Sequence, residues 1–238
     1  MGKKKKYIPG IFTILNLLFG FFALVRIGSG HHLSGFLLIF LGAIFDGLDG
    51  KLARILNRET NFGREFDSLA DIITFCAAPA FMMYQIYLSR LGLPGILIAF
   101  VFLLSGSIRL ARYNIIQDKE EDFKGLPVPA AALTFGSFVW FNFTIFGDYG
   151  ISELALALIF ILSFFMVSSI DFSPFPVISF NKNWFITLRS LFVISLMILF
   201  VIFRGYVLFP VMGIYIVNNV FKWMVKQANG ELVDHKER

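Results

Sequence analysis

Apolar runs of about 20 residues follow one another along almost the whole of this chain, each long enough to cross the hydrocarbon core of a bilayer. Of its 238 residues, 57% are hydrophobic and only 16% are charged. The mean hydropathy is +0.76. No water-soluble domain needs so much apolar sequence, and 31 phenylalanines suit lipid-facing and interhelical packing. The chain reads as all-α, a polytopic integral membrane helical bundle. Hydropathy places eight spans at about 11–27, 33–56, 65–88, 94–115, 128–146, 151–170, 184–203 and 206–225. The last two are separated only by Arg204, Gly205 and Tyr206. Glycine and proline punctuate the rest at Gly28-Ser29-Gly30, Gly92-Leu93-Pro94-Gly95, Gly125-Leu126-Pro127 and Pro174-Phe175-Pro176.

Charge sets the expected orientation. With the N-terminus inside, 18 of the 21 lysines and arginines fall on the inner side, and only Arg26, Arg90 and Arg204 fall outside. This is the positive-inside pattern. It places both termini in the cytoplasm, in a multi-pass protein of the cell (plasma) membrane. The net charge of +5 then reflects topology and attraction to anionic lipid rather than nucleic acid. The basic start, Met1-Gly2-Lys3-Lys4-Lys5-Lys6, leads into a retained first helix, because no small-residue cleavage site follows it. The single cysteine, Cys76, excludes an intramolecular disulfide and a zinc site built on Cys pairs. His31 and His32 fall in the outer turn as polar loop residues.

Four aspartates interrupt the second and third spans. They read Asp46-x-x-Asp49-Gly50-x-x-Ala53-Arg54, eight further residues, then Gly63-x-x-x-Asp67-x-x-x-Asp71. A carboxylate within a bilayer costs about several kcal/mol, so four in one hairpin require a compensating charge. Asp46 and Asp49, three apart, share a helix face, and so do Asp67 and Asp71, four apart. The rise per residue brings both pairs to similar depth beneath the cytoplasmic surface. Gly50 and Gly63 leave room for a bulky ligand near the backbone. Salt bridges to Arg54, Arg58 and Arg64 would account for one or two of these carboxylates, not four. Hard oxygen ligands in such number suit one or two Mg²⁺ or Mn²⁺ ions, which points to chemistry on a phosphate-bearing substrate.

The pattern resembles the signature of the CDP-alcohol phosphotransferase family, D-x-x-D-G-x-x-A-R-x(8)-G-x-x-x-D-x-x-x-D, at every fixed position across residues 46–71. The resemblance implies a six-helix catalytic core, a homodimer and a site for two metal ions. It implies that an acceptor hydroxyl attacks the β-phosphate of a CDP-linked donor and CMP leaves. It assigns Asp46, Asp49 and Asp67 as metal ligands and Asp71 as catalytic base and further ligand. Gly50, Ala53, Arg54, Gly63 and Ser68 would line the CDP moiety.

Three more segments resemble the bacterial and archaeal phosphatidylserine synthase branch of that family. In Pro9-Gly10-Ile11-Phe12-Thr13-Ile14-Leu15-Asn16-Leu17, Thr13 and Asn16 share a face and are assigned to the CDP-lipid. Asn16 is equally suited to an interhelical hydrogen bond. In Ser107-Ile108-Arg109-Leu110-Ala111-Arg112-Tyr113-Asn114, two guanidiniums on one face and Asn114 suit a carboxylate and a phosphate. Snorkelling is the alternative for either arginine alone. In Phe123-Lys124-Gly125-Leu126-Pro127-Val128-Pro129, Lys124 adds a cation beside the acceptor. Arg109, Arg112, Asn114 and Lys124 thus become the expected serine-binding set.

The expected protein is one transmembrane domain over 1–238. Its core covers about 8–180, two additional helices lie in 184–225, and 226–238 forms a cytoplasmic tail. Its expected substrates are a CDP-activated lipid, either CDP-diacylglycerol or CDP-archaeol, and L-serine. Glycerol 3-phosphate or an inositol phosphate is the alternative acceptor. A divalent-cation transporter is the alternative of another class, disfavoured because the carboxylates cluster at one depth with no polar path onward.

Overall fold

The computed structural model describes residues 10–55, 60–116, 125–150, 152–172 and 206–229, with side chains omitted at 50–55 and 116. Among them are seven helical rods and no strand. These are α1 (Ile11–Gly28), α2 (His32–Ile55), α3 (Asn61–Leu91), α4 (Leu93–Ile116), α5 (Val128–Phe146), α6 (Ser152–Val167) and α7 (Leu208–Ala228). All but α6 are long and apolar enough to cross a membrane. At 16 residues α6 is shorter than the 151–170 span expected from hydropathy, because the chain leaves the helix at Ser168 and turns. The expected span 184–203 lies outside the described residues.

Helix starts follow sequence chemistry. Pro94, Pro129 and Pro210 each stand in a first turn, where a missing N–H costs nothing. α3 starts four residues earlier than hydropathy suggests, because the Thr60 hydroxyl accepts from the Gly63 amide at 3.0 Å and caps it. α3 is not uniform. It is α-helical over Asn61–Asp71, widens to a π-turn over Ile72–Ala77, and returns to α-helix at Ala78–Met83. Pro79 supplies no backbone donor, and the widened turn just before it absorbs the break in the hydrogen-bond ladder.

α5 is the most enclosed helix; its Ala130-Ala131-Ala132 run is buried and lets neighbours approach. Its start is pinned by Gly125-Leu126, whose amides donate to Ile170 O at 2.8 Å and Phe165 O at 2.9 Å. Gly125 adopts φ +96°, and a side chain there would meet the Met166 and Ser168 carbonyls. Gly125 and Leu126 are thereby stitched to the end of α6 and the residues just after it. α7 packs on α5 through Phe209 against Phe138 and Phe141, and its Tyr215 meets Phe172. Apolar side chains such as Phe21, Phe22, Phe100, Phe164 and Phe221 face outward. Seven apolar rods with an enclosed core and this outer surface describe a multi-pass membrane protein.

Candidate active site

α1, α2 and α3 meet where the aspartates lie. α2 carries Asp46 and Asp49 near its C-terminal end. Thr60 sets the start of α3, so Asp67 and Asp71 follow within its first three turns. One carboxylate oxygen from each of Asp46, Asp67 and Asp71 lies within 4.8 Å of the others. Asp71 is only 8% exposed, and Asp67 Oδ1 is a buried oxygen with no hydrogen-bond partner among the described residues. Three converging carboxylates repel one another, and burial removes the water that would screen that repulsion. An orphaned buried oxygen within an all-oxygen donor set is the environment that a hard divalent cation satisfies. The residues present therefore fit such an ion.

Asp49 stands beside this trio rather than within it. It lies in electrostatic reach of Asp46 and Asp67, but its carboxylate accepts a hydrogen bond from the Thr13 hydroxyl. α1 contributes a second bond: Asn16 Nδ2 donates to Asp71 Oδ1 at 2.9 Å. Asn16 thus makes the interhelical hydrogen bond that its position allows. Thr13 and Asn16 thus each hold one aspartate, and both are buried.

Arg109 of α4 is 6% exposed, and its charge acts on Asp71, with Tyr113 and Tyr215 close by. Arg112 goes elsewhere. It is exposed, and its Nη1 donates to Val167 O at 2.9 Å, at the end of α6. The shared face expected for these arginines is corrected by this divergence. Three residues fall about 60° short of a full turn, which at this junction directs one inward and the other onto a helix end. A cation at a helix C-terminus meets carbonyls without partners in their own helix. Ser68 and Asn114 meet each other, with Asn114 Nδ2 at 3.1 Å from Ser68 Oγ and 3.3 Å from Glu65 Oε2. They join the faces of α3 and α4 beside the carboxylates. Gly63 lies at the capped start of α3. Gly50, Ala53 and Arg54 belong to the helical end of α2, where side chains lie outside the described residues, and Lys124 lies outside them altogether.

Glu65 and Thr74 are among the site neighbours that escaped the sequence reading. Glu65 carries no signal beyond its place in the first turns of α3. Thr74 lies three residues after Asp71 in an apolar run, where the spacing alone would have put both on one face.

Comparison with known proteins agrees with this geometry. A model of the CDP-alcohol phosphatidyltransferase family matches residues 6–168, which includes every described carboxylate of the site. The CDP-diacylglycerol–serine O-phosphatidyltransferase of Helicobacter pylori is 33% identical over 220 residues, covering 91% of this chain and 90% of the relative. The protein of the same name from Bacillus subtilis is 38% identical over 169 residues, 71% of this chain and 91% of the relative. The archaetidylserine synthase of Methanothermobacter thermautotrophicus is 34% identical over 168 residues, 69% of each chain. With the carboxylates converging where the signature puts them, the match over most of its length shows that the chain belongs to the CDP-alcohol phosphatidyltransferase family.

Proposed function

We propose that this chain transfers a phosphatidyl-type group from a CDP-activated lipid to the hydroxyl of L-serine and releases CMP. The observation that carries this reading is the approach of Asp46, Asp67 and Asp71 within 4.8 Å. Relatives named for serine transfer support the choice of acceptor. The serine oxygen forms a bond to the β-phosphorus, the bond from that phosphorus to the CMP oxygen breaks, and the serine proton passes to Asp71. Asp46, Asp49, Asp67 and Asp71 would hold two Mg²⁺ or Mn²⁺ ions, whose chemistry is to neutralise charge on the pyrophosphate and the leaving oxygen. Thr13 orients Asp49, and Asn16 orients Asp71. Gly50, Ala53, Arg54, Gly63 and Ser68 line the CDP moiety, while Arg109, Arg112, Asn114 and Lys124 serve the acceptor. The reaction then needs mainly positioning and electrostatics.

The donor enters laterally from the bilayer with its CDP head at the cytoplasmic surface. The whole chain forms one domain in the cell membrane with both termini inside, and two copies form a homodimer. Purified protein supplied with radiolabelled serine, CDP-diacylglycerol and Mn²⁺ should yield a labelled lipid and CMP in equal amounts. CMP release with glycerol 3-phosphate but not serine would move the acceptor assignment. Manganese flux into proteoliposomes without any CMP would remove the transferase reading.

Arg112→Ala is expected to raise the KM for serine about 10-fold or more, in line with loss of a charge-assisted hydrogen bond. The KM for CDP-diacylglycerol should change less than about 2-fold on the same scale. Equal rises in both would make Arg112 a general phosphate contact. No rise in either would leave it as a cap on α6.

A further inference from the structure

We infer that Thr74 is a positioning residue for Asp71, acting through Asn16 of the first helix. This rests on the transferase reading above, and it concerns a residue outside the aspartate signature. Thr74 is fully buried in the π-turn that begins directly after Asp71. Its Oγ1 donates to the backbone oxygen of Asn16 at 3.0 Å. That carbonyl already serves the α1 ladder, so the hydroxyl uses its second lone pair. The same asparagine sends its side-chain amide to Asp71 Oδ1 at 2.9 Å. Asn16 is thus held at the backbone by one residue of α3 and holds with its side chain another, one turn earlier.

The surrounding packing is built around this contact. A Cβ on Gly20 of α1 would collide with the Thr74 side chain and backbone. A Cβ on Gly42 of α2 would lie 2.6 Å from Thr74 Cγ2 and 3.1 Å from Asn16 Oδ1. Two glycines from two helices therefore leave the space that Thr74 and Asn16 fill. Asn16 Oδ1 is itself buried with no hydrogen-bond partner among the described residues, a cost accepted at this point of the fold. The amide is oriented with its donor on Asp71, and the arrangement fixes one carboxylate oxygen. A hydroxyl on a backbone carbonyl sets the helix spacing; the asparagine turns that spacing into a carboxylate direction.

The test is steady-state transfer of serine by Thr74→Val, Thr74→Ser and Asn16→Ala, with Mn²⁺ binding to each protein followed by electron paramagnetic resonance. Thr74→Val should lower kcat about 10-fold, the usual scale for one lost hydrogen bond, with both KM values within about 2-fold and any loss of Mn²⁺ affinity no larger than that of Asn16→Ala. Thr74→Ser, which keeps the hydroxyl, should stay within about 3-fold of wild type on that scale. In the Asn16→Ala background, Thr74→Val should add less than about 2-fold, because the two act as one unit. Wild-type kcat in Thr74→Val overturns the inference, as does an additive double variant. Equal damage by Thr74→Ser, or a loss of Mn²⁺ binding by Thr74→Val larger than that of Asn16→Ala, also overturns it by making Thr74 a packing residue. If Thr74→Val yields no folded protein, Thr74→Ala carries the same comparison, and failure of both beside a folded Thr74→Ser is again a structural role. A wild-type protein that binds Mn²⁺ but transfers nothing to serine removes the transferase reading itself and the inference with it.

Discussion

Asp71→Asn is expected to reduce serine transfer about 1,000-fold or more while the protein stays folded. General-base catalysis by a positioned side chain is worth on the order of 10² to 10⁴ in rate, and Asp71 is the group proposed to take the serine proton. The substitution is nearly isosteric. The new carboxamide keeps an oxygen that can accept from Asn16 Nδ2, so the contact between α1 and α3 survives. It also removes one negative charge from a group of three that converge within 4.8 Å. Loss of activity could therefore arise from weaker ion binding as well as from loss of the base. Assay across rising Mn²⁺ separates the two: a lost base leaves kcat low at saturation, whereas a lost ligand is restored by added metal. CDP-diacylglycerol should still bind. Single-turnover CMP release close to the wild-type rate would exclude Asp71 as the base.

The site was legible in the sequence to the extent that polar groups stand out against apolar surroundings. Four aspartates in two hydrophobic spans break the hydropathy pattern, and their spacing of three and four fixes a common face on each helix. What connects one helix to another was not legible. Asn16 and Asp71 are 55 residues apart, and no local period reveals that pairing. The π-turn at Ile72–Ala77 changes hydrogen-bond register without changing composition, and Pro79 is its only trace in the sequence. The cap by Thr60 was missed because a hydropathy window registers apolarity, not the chemistry of helix ends. Arg109 and Arg112 show the limit of spacing arguments most plainly. On an isolated helix they are neighbours. In the bundle, Asp71 draws one inward, and the end of α6 takes the other. α7 lies beyond the family match, yet it brings Tyr215 beside Arg109 through tertiary packing that no motif announces.

Asp67→Asn should remove about half or more of the stabilisation that Mn²⁺ gives the wild-type protein, a result independent of any assay of catalysis. An ion that binds the folded state alone contributes about 2.7 kcal/mol at a concentration 100 times its Kd. For a chain of this size that corresponds to a rise in melting temperature on the order of 5–10 °C. Asp67 is the carboxylate whose Oδ1 is buried without a hydrogen-bond partner among the described residues, an oxygen that a cation would satisfy. A carboxamide offers one neutral oxygen in its place and should weaken binding at least 10-fold, the order expected for losing one charge-assisted ligand contact. The same substitution lowers the mutual repulsion with Asp46 and Asp71, so the metal-free variant should melt no lower than metal-free wild type. The two effects have opposite signs, and that opposition is the test. A variant that melts lower in both conditions would identify Asp67 as a packing group. A variant that gains as much from Mn²⁺ as wild type would show that the ion binds without Asp67. Only a loss confined to the metal-dependent increment matches three carboxylates drawn together around a cation.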